Sequence, residues 1–160
     1  MSSSSILFHS ASRKAMMTTT SPSYHRSKVA AAWLASLFGV IGAHWWYLGR
    51  PRAWAITAFG VLMLALSRLY PVWWDSPPFL ILIIPITAGF IESLVFALKT
   101  DEWFDARYNP RSGRCNQTGW SAVFAAIFST LVGAAVLTFG IALIVLHVYK
   151  ALGWLDGLVI

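Results

Sequence analysis

Long runs without a charged residue alternate with short polar connections, and that alternation sets the expected elements. No Asp, Glu, Lys or Arg occurs in the 21 residues from Val29 to Gly49, the 15 from Ala53 to Ser67, the 16 from Ser76 to Ile91 or the 35 from Cys115 to Tyr149. A helix that crosses a bilayer needs about 20 mainly apolar residues, each adding about 1.5 Å across a core of about 30 Å. Backbone polar groups in hydrocarbon must be satisfied within the segment, and no short alternating segments of a β-barrel are present. The pattern therefore predicts an all-α, polytopic helical membrane protein with about four hydrophobic helices, over 29–48, 53–70, 79–98 and 120–148, in a small bundle. The second is marginal in length. It either spans, with Arg68 snorkelling to the headgroups, or dips into one leaflet.

The connections and tails complete the organisation. Residues 1–28 are rich in Ser and Thr, hold Arg13, Lys14, Arg26 and Lys28, and lack the apolar stretch of a secretory signal. They are expected to form a disordered basic tail, and Met16 or Met17 is an alternative translation start. Residues 113–119 read as a polar connection, 120–149 as a C-terminal transmembrane helix and 150–160 as a short tail. All nine tryptophans fall near predicted helix ends, where amphipathic rings favour the interface.

Orientation depends on the second segment. With four spans, six Lys and Arg fall on each side and the positive-inside rule is silent. With a re-entrant 53–70, eight fall with the N-tail and the loop after Leu98, against four, which would place both in the cytoplasm.

Ser27-Lys28-Val29 through Arg50 is the most distinctive stretch: a Lys before an apolar helix, then Gly39, Gly42, His44, Tyr47, Leu48 and Gly49. It resembles the TM-two domain family, whose usual pattern is G-x-x-G-x-H-R-F-Y-L-G, over about residues 27–112. Trp45 and Trp46 stand where that pattern has Arg and Phe, and Arg50 and Arg52 are candidates to restore the charge. The resemblance implies that Glu92 is the acidic residue carried by a later helix. It also implies that Asp105 to Pro110 is a polar tail, and that the domain covers 29–112 with the last helix outside it. It implies architecture more than activity. Independently of any family, Gly39 and Gly42 lie i, i+3 and permit close helix approach. Gly49 followed by Pro51 suits a turn between two helices.

Small residues recur every four positions in the first helix (Ala31, Ala35, Gly39, Ala43) and in the last (Ala122, Ala126, Thr130, Ala134, Thr138, Ala142), with a neighbouring row of Ser121, Ala125, Ser129 and Gly133. Such rows let helices associate closely in lipid, so the last helix presents a contact surface for the first helix or for a second copy.

Composition narrows the chemistry. The chain is 58% hydrophobic and 11% charged, which excludes a disordered chain and leaves few polar groups within the apolar segments. A single cysteine, Cys115, excludes a disulfide framework and a redox pair. Asn116-Gln117-Thr118 fits the glycosylation pattern, which is meaningless if that loop is cytoplasmic. His44 has no companion at metal-ligand spacing, and no nucleophile elbow, HExxH or phosphate-binding loop occurs. No catalytic, cofactor or metal site is expected, and the protein is expected not to be an enzyme.

Net charge is +6, but the basic residues sit beside helices, where lipid headgroups account for them without nucleic acid. Glu92 is the sharpest candidate. A charge within a spanning helix costs about 2.5–3.5 kcal/mol, so it should face helices, water or a partner. One reading is an inter-helix hydrogen bond to His44, Arg68 or Ser93; the other is a proton or ion relay. Two functions follow. The first is a non-enzymatic accessory or scaffold module of the bacterial cytoplasmic membrane that packs against itself or a membrane-protein partner. The second is a small transporter or channel component with Glu92 in a polar pathway.

Overall fold

The computed structural model describes residues 24–156, and every regular element among them is helical. The alternative start at Met16 or Met17 and most of the expected tail lie outside the described residues. Helix α1 spans Lys28–Phe38 and runs into a 3-10 turn, Gly39–Ile41. The short α2 spans Ala43–Tyr47, and α3 spans Ala53–Ser67. After a 3-10 turn at Trp73–Asp75, α4 (Pro77–Ile81) and α5 (Ile83–Leu98) together form a 22-residue apolar rod. Helix α6 spans Asp101–Tyr108 and α7 spans Gly119–Ala151.

The first hydrophobic segment differs from the single helix expected over 29–48: it is a hairpin. Gly42 takes a left-handed backbone, φ +66°, which glycine adopts without a Cβ penalty, and the chain turns back there. A Cβ on Gly42 would also lie 2.8 Å from the Ile56 side chain. The returning strand of chain brings Tyr47 beside the start of α1. The Ser27 amide donates to the Tyr47 hydroxyl at 2.7 Å, and Arg26 Nε donates to the Tyr47 carbonyl at 3.0 Å. Both feet of the hairpin thus stand at one end of the molecule, the proximal end. The periodicity of apolar residues could not reveal this, because a hairpin buried on its inner side is as uncharged as a span. Tyr24 to Ser27, expected as part of a tail, are bonded into that end instead.

Helix α3 climbs past the hairpin tip, where Thr57 donates to the Ile41 carbonyl at 2.7 Å and Gly60 passes the Val40 carbonyl so closely that a Cβ would lie 2.5 Å from it. It is 15 residues long, about 22 Å. The α4–α5 rod then descends and α7 rises beside it. Helices α1 and α5 touch backbone to backbone: a Cβ on Gly89 would meet the Ala35 carbonyl oxygen at 2.6 Å and the Gly39 Cα at 2.7 Å. Helices α5 and α7 meet through Phe90 over Gly133, Ile83 over Gly140, and a buried hydrogen bond from the Ser129 hydroxyl to that of Ser93 at 2.7 Å.

The core, Ala31, Ala32, Ala35, Leu48, Phe96, Phe104 and Ala125, lies toward the proximal end. Helix α6 closes it. Thr100 caps α6 by accepting from the Trp103 amide, and Asp101 and Glu102 in its first turn suit the positive end of its dipole. This helix occupies part of the stretch expected as a polar tail.

Two helical stretches, Pro77–Leu98 and Gly119–Ala151, are long and apolar enough to cross a membrane. Only 33% of the most apolar window of the first and 11% of that of the second is buried inside the molecule. A soluble protein's core helix would be mostly buried. Helix α7 instead turns Phe124, Leu131, Phe139 and Ile141 outward.

Of the two surfaces expected for the outer small-residue row of α7, the first helix or a second copy, the bundle uses the row little beyond its first residues. Ala122 is buried, but Thr130, Ala134, Thr138 and Ala142 point away from the bundle, and the neighbouring row of Ala125, Ser129 and Gly133 is the one that packs. The reason is chemical: Ser129 has a hydroxyl partner across the seam. Thr130 and Thr138 satisfy theirs on the carbonyls of Ala126 and Ala134 within their own helix.

Candidate functional site

Glu92 lies on α5, just proximal to the Gly89 contact, facing the hairpin. Because Gly42 reverses the chain, α2 presents His44 and Trp45 to it, and the following turn delivers Arg50. His44 Nε2 lies 2.6 Å from Glu92 Oε2, and Trp45 Nε1 donates to the same oxygen at 3.3 Å. Arg50 Nη1 donates to Oε1 at 2.9 Å. Its Nη2 donates to the Tyr108 hydroxyl on α6 at 2.8 Å.

The guanidinium also stacks among aromatic rings, 5.1 Å from the centre of Trp45, 5.8 Å from Phe96 and 5.9 Å from Tyr108. Both carboxylate oxygens are therefore used. The planar fork of arginine bridges the carboxylate and the phenol at once, a geometry that a lysine ammonium cannot reproduce.

Burial is graded across the cluster. The His44 side chain is 3% exposed, Arg50 25% and Glu92 29%. His44 Nδ1 has no protein partner and is fully buried. A small cavity of about 70 Å³ is lined in part by His44, Trp45, Glu92 and Gly89.

Of the three partners expected for Glu92, the structure brings His44 alone to it. Ser93 is committed to Ser129, and Arg68 ends α3 at the opposite, distal end. Arg50, Trp45 and Tyr108 were not anticipated as partners. Arg50 carried the available signal, as the cation beside a motif that lacks its usual arginine. The other motif residues serve the hairpin: Gly39 and Gly42 at its tip, Tyr47 and Leu48 in its packed foot, and Gly49 with φ +65° beside Arg26.

A second polar cluster stitches the proximal end. Lys28, 3% exposed, donates through Nζ to Asp101 Oδ1 at 2.8 Å and to the Lys99 carbonyl at 2.5 Å. The Thr118 amide donates to Asp101 Oδ2 at 3.0 Å. Asp105 accepts from the Asn116 amide at 2.6 Å and from Asn109 Nδ2 at 2.7 Å, and Asn109 Oδ1 accepts from the Arg26 amide at 2.8 Å. Burial alone would raise the Asp101 and Asp105 carboxyls. The Lys28 and Thr118 bonds outweigh it at Asp101, the Asn109 and Asn116 bonds at Asp105, and both stay below the usual carboxylate range.

At the distal end, Asp75 accepts from Lys150 Nζ at 2.8 Å and lies 3.0 Å from His147 Nδ1; these bonds, Lys150 first, hold its carboxyl down.

Cys115 is exposed, and among the described residues no group of three His, Cys, Asp or Glu side chains is placed to hold a metal ion. Set against family models, curated proteins and solved structures, the chain matches none.

Proposed function

We propose that the protein is a non-enzymatic integral membrane protein, an accessory or scaffold module of the bacterial cytoplasmic membrane, related to the TM-two domain family. The observation that carries this reading is the use made of Glu92. The one charge inside the α4–α5 rod is spent on holding hairpin, rod and α6 together, through His44, Trp45 and Arg50. Arg50 then supplies the positive charge that the TM-two pattern has immediately after its histidine, where this chain has Trp45.

The four hydrophobic segments become one re-entrant hairpin and three segments that run between the two ends, α4–α5 and α7 at spanning length and the 15-residue α3 short of it, with Arg68 snorkelling at its distal end. Exposed Trp46, Trp54 and Trp120 toward the proximal end and Trp73, Trp74 and Trp154 at the distal end form two aromatic belts. This arrangement breaks the tie in charge. The proximal end holds Arg26, Lys28, Arg50, Arg52, Lys99, Arg107, Arg111 and Arg114, the distal end Arg68 and Lys150, so the proximal end faces the cytoplasm. Self-association would use the outward row of α7, Thr130, Ala134 and Thr138.

Reporter fusions after residues 26, 50, 74 and 110 test it. Positions 26, 50 and 110 should report the cytoplasm and 74 the outside. Opposite sides for 26 and 50 would restore a spanning first helix and sink the hairpin topology.

The cavity lined by His44 and Glu92, together with the unpartnered His44 Nδ1, favours a second reading, a polar pathway through Glu92. Proteoliposomes separate the two: the scaffold reading expects no proton or ion flux, and the pathway reading expects flux that Glu92→Gln abolishes.

A further inference from the structure

The proximal end sorts its charges by direction. Its acids turn inward: Glu92 to Arg50 and His44, Asp101 to Lys28 and Thr118, Asp105 to Asn109 and Asn116, leaving Glu102 as the outward acid. Its cations do not all follow. Arg52, Lys99, Arg107 and Arg114 are exposed, and none of the four makes an ion pair among the described residues. At the distal end the cation Lys150 is neutralised by Asp75. The distal end sets Arg68 and Lys150 against Asp75 and Asp156, whereas the proximal end has eight cations against Glu92, Asp101, Glu102 and Asp105; that outward positive excess is an electrostatic footprint whose occupant must be anionic.

We propose that the proximal face binds the headgroups of anionic phospholipids. The inference rests on the membrane reading above and deepens it. Geometry favours lipid over a soluble polyanion. Arg52 stands immediately before α3 and Lys99 immediately after α5, so two of the four cations sit at the ends of apolar helices, where on the membrane reading a headgroup phosphate would meet them. Lys99 lies 5.7 Å from the ring centre of Trp103, which suits an interfacial ring as neighbour. Each cation near an anionic surface contributes attraction that salt screens within about 8–10 Å.

The test uses the full chain in nanodiscs of phosphatidylcholine with a minor fraction of phosphatidylglycerol. The lipid retained after mild detergent extraction is measured by native mass spectrometry. Phosphatidylglycerol should be enriched about fivefold, the factor equivalent to one such contact of about 1 kcal/mol, and less so at high salt. The quadruple variant Arg52→Gln, Lys99→Gln, Arg107→Gln, Arg114→Gln should lose the enrichment and keep its thermal unfolding midpoint. Arg68→Gln should change nothing.

Equal retention of the two lipids, or undiminished enrichment in the quadruple variant, would overturn the proposal. So would displacement of the lipid by short single-stranded RNA at micromolar concentration, which would mark a nucleic-acid face, or by millimolar inorganic phosphate. Failure of the protein to enter bilayers of either composition would defeat the membrane reading itself, a different result from insertion without preference.

Discussion

The two ends of the molecule hold their helices by different means. At the proximal end, side chains from five segments meet in a continuous polar network, and almost every hydrogen bond joins residues far apart in sequence. At the distal end, one carboxylate, Asp75, joins the turn before α4 to the last turns of α7, and the remaining contacts are apolar. The difference follows from the hairpin. A segment that returns to its starting end leaves loops, feet and unpaired backbone groups crowded together there. Those groups must find partners when water is excluded. The distal end has only simple connections and needs far less.

Breaking the proximal network should therefore cost much more than breaking the distal one. The largest effect is expected at Glu92. Glu92→Ala strands the Arg50 guanidinium without its counter-charge and the buried His44 Nε2 without its hydrogen-bond partner, and removing one partner of a buried ion pair costs about 3–5 kcal/mol. Thermal unfolding of purified protein should show a large fall, smaller for Glu92→Gln; equal stability of Glu92→Ala and the parent would refute the clasp.

Next comes Gly89→Ala. Its methyl group meets backbone atoms of α1, which cannot rotate away, and overpacking costs about 1–3 kcal/mol. Gly113→Ala offers a contrast, since nothing lies within 4 Å of its Cβ and only its positive φ resists the change.

Acid should then loosen the carboxylate contacts of both ends, two at the proximal end against one at the distal end, before the apolar middle of the bundle. Asp101 and Asp105 are held below their ordinary range in the folded state. Their contribution is complete above about pH 4, the unfolded carboxylate value, and is lost as pH falls through the lower folded values. Amide exchange in α6 should rise with acidification in that window before exchange in mid-α7 does.

Ser129→Ala removes one hydrogen bond between α5 and α7 and should cost about 0.6 kcal/mol. Smallest of all, Asp75→Asn should cost no more than about 0.5 kcal/mol, because Lys150 is half exposed. A loss at Asp75 equal to that at Glu92 would erase the distinction between the ends.

How legible this was in the sequence varies with the kind of signal. The helical class, the α7 element and the sharp status of Glu92 follow from charge-free length and from the cost of a charge in an apolar helix. His44 as its partner was also readable. The reversal at Gly42 was not, because a glycine within an apolar run looks the same whether it permits helix contact or a left-handed turn. Missing the turn displaced Arg50 from the account, since only the turn carries it back to α5. Which small-residue row of α7 faces the bundle was not legible either, for another reason. Two adjacent rows of small residues compete for the seam, and the winner is decided by the single hydroxyl pair Ser93–Ser129 rather than by spacing.

The hairpin also bears on biosynthesis. His44 and Arg50 leave the ribosome more than 40 residues before Glu92, so the first segment must wait, unclasped, for its partner helix. On the membrane reading, a chain truncated after residue 75 lacks the acid and should anchor its hairpin poorly in a glycosylation-mapping insertion assay, while a chain extended past residue 108 should hold it firmly. On that reading the order of assembly is set by a carboxylate: the hairpin is completed by a helix made after it.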